Sequence, residues 1–176
     1  MKKFLGLPLV FIMVAVIIAG CFKDKSPSCV NNTIEQDRAV IDSFISSSSS
    51  GYISWQPTLG FYAGAVDPGT GNQPVAESVI SFKYVRSLLN GTLIDSATFP
   101  QPSQPQAITL SMLANSPLEY YALSNLKEKG IMRFLTPSSG AYGFGCTGAK
   151  NNLGQTVIPA NSQLIYDITL LEVKAQ

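Results

Sequence analysis

The chain has 176 residues, 45% of them apolar, and 12 basic against 11 acidic side chains, so it lacks the basic footprint of a nucleic-acid binder. It has no histidine and three cysteines, which excludes the usual zinc sites and any histidine-dependent catalytic triad. No metal or cofactor is expected, and any catalysis has to work without imidazole.

Met1-Lys2-Lys3 followed by an apolar run from Phe4 to Ala19 has the form of an export signal, and the run is short for a membrane span of about 20 residues. Ala19 and Gly20 directly before Cys21 resemble the lipobox of bacterial lipoproteins. That resemblance implies cleavage before Cys21, lipidation of its thiol and a domain anchored to a membrane of the bacterial cell envelope, outside the cytoplasm. An uncleaved anchor is the alternative, with a similar tethered topology. The expected division is a signal over 1–20, a tether with a short helix over 21–56, and one domain over 57–176. Cys29 and Cys146 remain. In an oxidising compartment an even count suggests a disulfide, and two unpaired thiols weigh equally.

Phe22 to Asn32 is polar and aperiodic and reads as tether. Thr33 and Gln36 have capping-box spacing ahead of an apolar stripe of Ile34, Val40, Ile41, Phe44 and Ile45, which predicts a helix over 34–45. The serine run from Ser46 to Ser50 reads as a flexible linker. Strands are predicted around Phe61 to Ala63, over 79–89 up to Asn90-Gly91, and where Ile108, Leu110 and Met112 alternate with Thr109 and Ser111. Prolines 100, 102 and 105 mark the loop before the last of these. Ser116, Pro117 and Glu119 have the spacing of a capped helix start, Lys127, Lys129 and Gly130 mark its end, and Leu118, Ala122 and Leu126 share its sheet-facing side. Ile131 to Thr136 and Gln163 to Val173 read as strands. Many strands around one central helix make an α+β domain with an antiparallel sheet.

Pro137-Ser138-Ser139-Gly140-Ala141-Tyr142-Gly143 and, after a long loop, Val157-Ile158-Pro159 leading into Tyr166-Asp167-Ile168 resemble the FKBP-type peptidyl-prolyl isomerases. Upstream, Gly60-Phe61-Tyr62, Gly69-Thr70-Gly71, Lys83-Tyr84-Val85 and Ile94-Asp95-Ser96 fit the same family, so the resemblance spans about 57–173. It implies an antiparallel sheet wrapped around a short helix and a pocket for an X-Pro segment of an exported polypeptide. Residue by residue it implies catalytic roles for Tyr84, Asp95, Tyr142, Ile158 and Tyr166, and substrate contacts from Ile94, Val157, Leu118 and Tyr121. Tyr142 matches the family's hydroxyl donor in the Ala-Tyr-Gly turn. The chain departs from the family at Gln106, Asn115, Ser116 and Glu119, with Glu119 where the pocket-floor tryptophan stands. As a capping residue Glu119 is expected to point along the helix start. The loop over 144–156 is longer than the family's flap.

The chemistry implied needs no imidazole. Rotation about the amide C–N bond faces a barrier of about 18–20 kcal/mol, and the twisted amide is less polar than the planar one, so a water-poor pocket favours it. A differential stabilisation of about 4 kcal/mol corresponds to roughly a thousandfold acceleration. A domain that binds peptides or another envelope protein without useful isomerisation is the alternative, favoured by polar groups near the pocket.

Overall fold

The computed structural model describes residues 28–103 and 106–174. The expected export signal over 1–20 and the expected lipidation of Cys21 lie outside the described residues. Within them the chain runs α1 (Ile34–Ser47), β1 (Ser54–Gln56), β2 (Phe61–Asp67), β3 (Val79–Leu88), β4 (Leu93–Phe99), β5 (Ile108–Thr109), α2 (Pro117–Asn125), β6 (Ile131–Thr136), β7 (Ala149–Lys150), β8 (Thr156–Ile158) and β9 (Leu164–Lys174). The main sheet has the order β1-β2-β6-β9-β3-β4, with β5 pairing only β3, and its pairs are antiparallel. This is the α+β architecture that the sequence predicts.

Alternation along the strands gives the sheet two apolar faces. On one, Phe61, Phe82, Phe134, Ile168 and Leu170 pack on Leu118, Ala122 and Leu123 of α2, all of them buried. On the other, Tyr62, Leu135 and Ile165 pack on Ile41 of α1, with Phe44 and Ile45 beside it. The helix starts where predicted: Gln36 N donates to Thr33 Oγ1 at 3.3 Å, and Thr33 N to Gln36 Oε1 at 2.8 Å. Tyr62 donates its hydroxyl to Asp42 at 2.7 Å and the Arg38 guanidinium lies 4.7 Å from the Trp55 ring centroid, so α1 is fastened by polar contacts as well. The molecule is therefore three-layered, helix on sheet on helix.

Several expectations are corrected. The boundary between 56 and 57 cuts the β1–β2 pair, and α1 belongs to the same packed unit as the sheet. The serine linker is the last turn of α1 and a tight turn after it: Ser48 donates its hydroxyl to Ser50 at 2.8 Å, and Ser50 is buried. The strand expected over 108–112 ends after Thr109, because its partner β3 begins at Val79, and Leu110–Leu113 closes into a 3-10 turn. Ser116 makes no side-chain cap, so the capping box of α2 does not form. The helix stops at Asn125 because the following backbone is taken by the loop after β2 and by β9. Lys127 N donates to Pro68 O at 2.9 Å and Lys129 N to Leu170 O at 2.7 Å.

The two cysteines with open pairing are joined. Cys29 and Cys146 form a disulfide with a Cα–Cα distance of 5.4 Å, inside the normal range. The expected tether is thus fixed to the domain from Cys29 onward. Asn31 Oδ1 accepts from Cys146 N at 2.8 Å, and Asn161 links to both Val30 O at 3.1 Å and Asn32 N at 3.2 Å. The long loop after Tyr142 is also more ordered than its sequence suggests. It carries a 3-10 turn at Gly145–Thr147 and the β7–β8 hairpin, whose tip is built on Asn151 Oδ1 accepting from Leu153 N and Gln155 N, each at 3.0 Å.

Candidate functional site

The strand registers assemble the site. Asp95 on β4 stands opposite Arg86 on β3, Arg86 opposite Tyr166 on β9, and Tyr166 opposite Phe134 on β6. These four form one row across the face that meets α2. The next row holds Ala97, Tyr84, Ile168 and Met132. Because side chains two apart on a strand share a face, Phe82, Tyr84 and Arg86 follow one another from the core toward the site.

Arg86 lies at its centre. Its Nε donates to Asp95 Oδ1 at 2.9 Å, a terminal nitrogen donates to Asp95 Oδ2, and its other terminal nitrogen donates to the Tyr166 hydroxyl at 3.0 Å. The guanidinium also lies 5.5 Å from the ring centroids of Phe144 and Tyr166. Burial alone lowers the basicity of Arg86, but the bonds to Asp95 and Tyr166 outweigh it and raise its pKa. Burial pushes the Tyr166 phenol up, against the lowering effect of Arg86. The phenol stays neutral and, with its oxygen occupied by Arg86, keeps its own proton to donate.

Tyr142 sits within the second of two successive turns, closed by Gly140 N to Pro137 O at 3.3 Å and Gly143 N to Gly140 O at 3.0 Å. A side chain at Gly143 would collide with the Ser138 carbonyl, which explains the glycine there. The Tyr142 ring meets Phe61 edge-on at 6.2 Å, and its hydroxyl faces the backbone N–H of Leu118 at the start of α2. Burial, then the neighbouring Glu119 charge, raises its pKa, so it too remains a neutral donor.

Glu119 keeps its carboxylate by its own backbone N–H at the helix start. It is half-buried and near enough to influence both Tyr142 and Tyr166, and its pKa is raised by burial. The floor position thus carries a carboxyl group whose charged form is disfavoured. Of the substrate contacts, Tyr121 packs edge-on against Phe61 at 5.8 Å and Phe134 at 6.1 Å. Leu118 is 1% exposed, a core residue beneath the site. Ile94 is the unpaired residue of a β-bulge facing Arg86 and Ser87, which lets Asp95 point to the guanidinium. Val157 and Ile158 are neighbours on β8 and face opposite sides: Ile158 is 1% and Val157 37% exposed. Tyr84 stacks on Phe99 at 6.2 Å and borders an open groove of about 540 Å³. That groove is lined by Lys83, Thr98, Gln101 and Ser103 and does not include Tyr142 or Tyr166.

Arg86 and Phe144 are the site residues that the sequence reading missed. The signal for Arg86 was present, since strand alternation puts it on the face of Tyr84. Phe144 is brought in by the loop after Tyr142, which carries no period to read.

No protein-family model matches the chain. It is 29% identical over 106 residues to the FKBP-type peptidyl-prolyl cis-trans isomerase FkpA of Aeromonas hydrophila, which covers 60% of this chain and 35% of that protein. The chain thus spans about a third of the length of that relative. Among solved structures, a peptidyl-prolyl cis-trans isomerase from Pseudomonas syringae pv. tomato is 21% identical, with 83% of this chain and 99% of that one covered and a TM-score of 0.48. FkpA from Escherichia coli is 22% identical, with 80% and 62% covered and a TM-score of 0.45. The chain is thus similar in sequence to an FKBP-type peptidyl-prolyl isomerase, and Tyr84, Asp95, Tyr142 and Tyr166 of its antiparallel α+β fold lie on the face that meets α2.

Proposed function

We propose that this protein is an FKBP-type peptidyl-prolyl cis-trans isomerase acting on X-Pro bonds of exported polypeptides. The observation that carries the reading is the gathering of Tyr84, Tyr121, Tyr142 and Tyr166 against one core, with two neutral phenols as donors. In this reading Tyr142 donates to a substrate carbonyl, and the aromatic rings and Ile158 exclude water around the proline ring. The Arg86–Asp95 pair fixes the Tyr166 phenol at the polar edge. No proton needs to leave the protein, since twisting the amide is the whole reaction.

A soluble form measured on short X-Pro peptides is expected to accelerate isomerisation above background. Tyr142→Phe, which deletes one neutral hydrogen bond, is expected to lower kcat/KM about tenfold. A wild-type rate equal to background retires the isomerase reading.

The second reading, a peptide-binding domain with little isomerase activity, is favoured by Arg86 and Glu119. Both bring polarity to a site whose proposed effect depends on excluding it. Peptide binding without rate acceleration is its signature. In either reading we place the protein on a membrane of the bacterial envelope through lipidated Cys21. Mass measurement of the membrane-extracted protein is expected to show the loss of residues 1–20 and acyl chains on Cys21, and an intact N-terminus without acyl chains removes the lipid anchor.

A further inference from the structure

We propose that Asp37 on α1 is a positioning residue for Tyr142, so that the segment from Cys29 to Asp37 is part of the site's machinery. Asp37 is completely buried and has no cation beside it among the described residues. Its carboxylate accepts instead from neutral donors. Ser138 Oγ lies 2.9 Å from both oxygens, Ser139 N and Ser139 Oγ each lie 2.9 Å from Oδ2, and Asn32 Nδ2 and Gln163 Nε2 lie 2.8 and 2.6 Å from Oδ1.

Three of these donors belong to Ser138 and Ser139, directly before the turn that carries Tyr142. The far end of the same loop is fixed by the same N-terminal segment, through Asn31 to Cys146 N and through the Cys29–Cys146 disulfide. Gly145 also ties the two ends of the loop together: Gly145 N donates to Ser138 O at 2.9 Å, and Asn161 N donates to Gly145 O at 2.7 Å. Tyr142 thus sits between two clamps that both originate in residues 29–37.

A glycine-rich turn left free at either end has backbone entropy to lose before Tyr142 can be held in place. A displacement of about 1 Å in a reacting group can cost about a hundredfold in rate. A carboxylate suits the first clamp because it is acceptor-only and can serve all these donors at once. An amide in its place would set an NH₂ against them.

The activity arm of the test rests on the isomerase reading; the spectroscopic arm does not. In the full mature domain, Asp37→Asn is expected to lower kcat/KM on an X-Pro peptide about tenfold or more. Combined with Tyr142→Phe it is expected to change the remaining rate less than about twofold, because it acts through the lost hydroxyl. The ring carbon–proton NMR signals of Tyr142, identified by their loss in Tyr142→Phe, are expected to shift in Asp37→Asn. Ser138→Ala, a milder change that removes only one donor, is expected to move the same signals in the same direction, and it decides the matter where Asp37→Asn fails to fold. Unshifted Tyr142 signals in the folded variants, or an equal loss of rate in both backgrounds, overturns the proposal. A wild type without isomerase activity ends the isomerase reading alone and leaves the ring signals to decide this one.

Discussion

Asp37→Ala is expected to destabilise the domain by about 3 kcal/mol or more, read as a lowered urea midpoint with unchanged slope. The magnitude follows from what remains behind. Ser138 and Gln163 are 1% and 7% exposed, and with Asn32 and the Ser139 N–H they lose a charged acceptor that water cannot replace without opening the layer between α1 and the Tyr142 loop. Each buried donor left unpaired costs about 1–3 kcal/mol. The same carboxylate sets an acid limit. Burial on its own pushes Asp37 up, but the bonds from Asn32, Ser139, Gln163 and Ser138 outweigh it, and its pKa is lowered from 3.8. A depressed carboxylate contributes stability that is fully present above its unfolded value and is lost as pH falls through the folded one. The margin of wild type over Asp37→Ala is therefore expected to be full near neutrality and to narrow in acid. A gap that does not narrow below the ordinary carboxylate range contradicts this account.

Reduction of the Cys29–Cys146 bond is expected to cost about 2–4 kcal/mol, measured by denaturation with and without reductant. The bond closes a loop with a sequence separation of 117, so the open chain regains much of the freedom that the link removes. Cys29→Ser with Cys146→Ser is expected to reproduce the reduced protein's midpoint and to be indifferent to reductant. Mass measurement after alkylation checks the premise directly, since two free thiols in the unreduced protein contradict the bond. The loss is expected to fall most on the loop from Ser138 to Cys146, which the N-terminal segment clamps.

Local chemistry made much of the fold legible. Thr33 and Gln36 announce the start of α1, and the paired apolar positions of β6 and β9 announce the centre of the sheet. The α2 face of Leu118, Ala122 and Leu126 follows from its spacing, whereas the end of that helix does not. Lys127, Glu128 and Lys129 bond to Pro68, Asn72 and Leu170, partners far away in sequence that override a helical preference. The serine run misled for the same reason: its composition suits a linker, but Ser50 is needed in a buried turn.

At the site, residues that resemble a known pocket could be placed by number, while those peculiar to this chain could not. Arg86 sits two residues after Tyr84 and so was on the right face, yet nothing local says that a strand arginine turns inward to meet Asp95 and Tyr166. Asp37 lies four residues before Ile41, a carboxylate within an apolar stripe. That anomaly is visible in the sequence, but its explanation is 101 residues away at Ser138.

The disulfide also fixes how far the site can stand from an anchored N-terminus. Only eight residue steps separate Cys21 from Cys29. Fully extended, they span at most about 26–29 Å. Under the proposed lipidation of Cys21, Cys146 and the rim beside it would stay on a leash shorter than the thickness of the lipid layer itself, about 40–45 Å with its headgroups. Reach toward a client is then confined to chains emerging close to the surface, and lengthening that leash would widen the catchment without altering a single contact in the site.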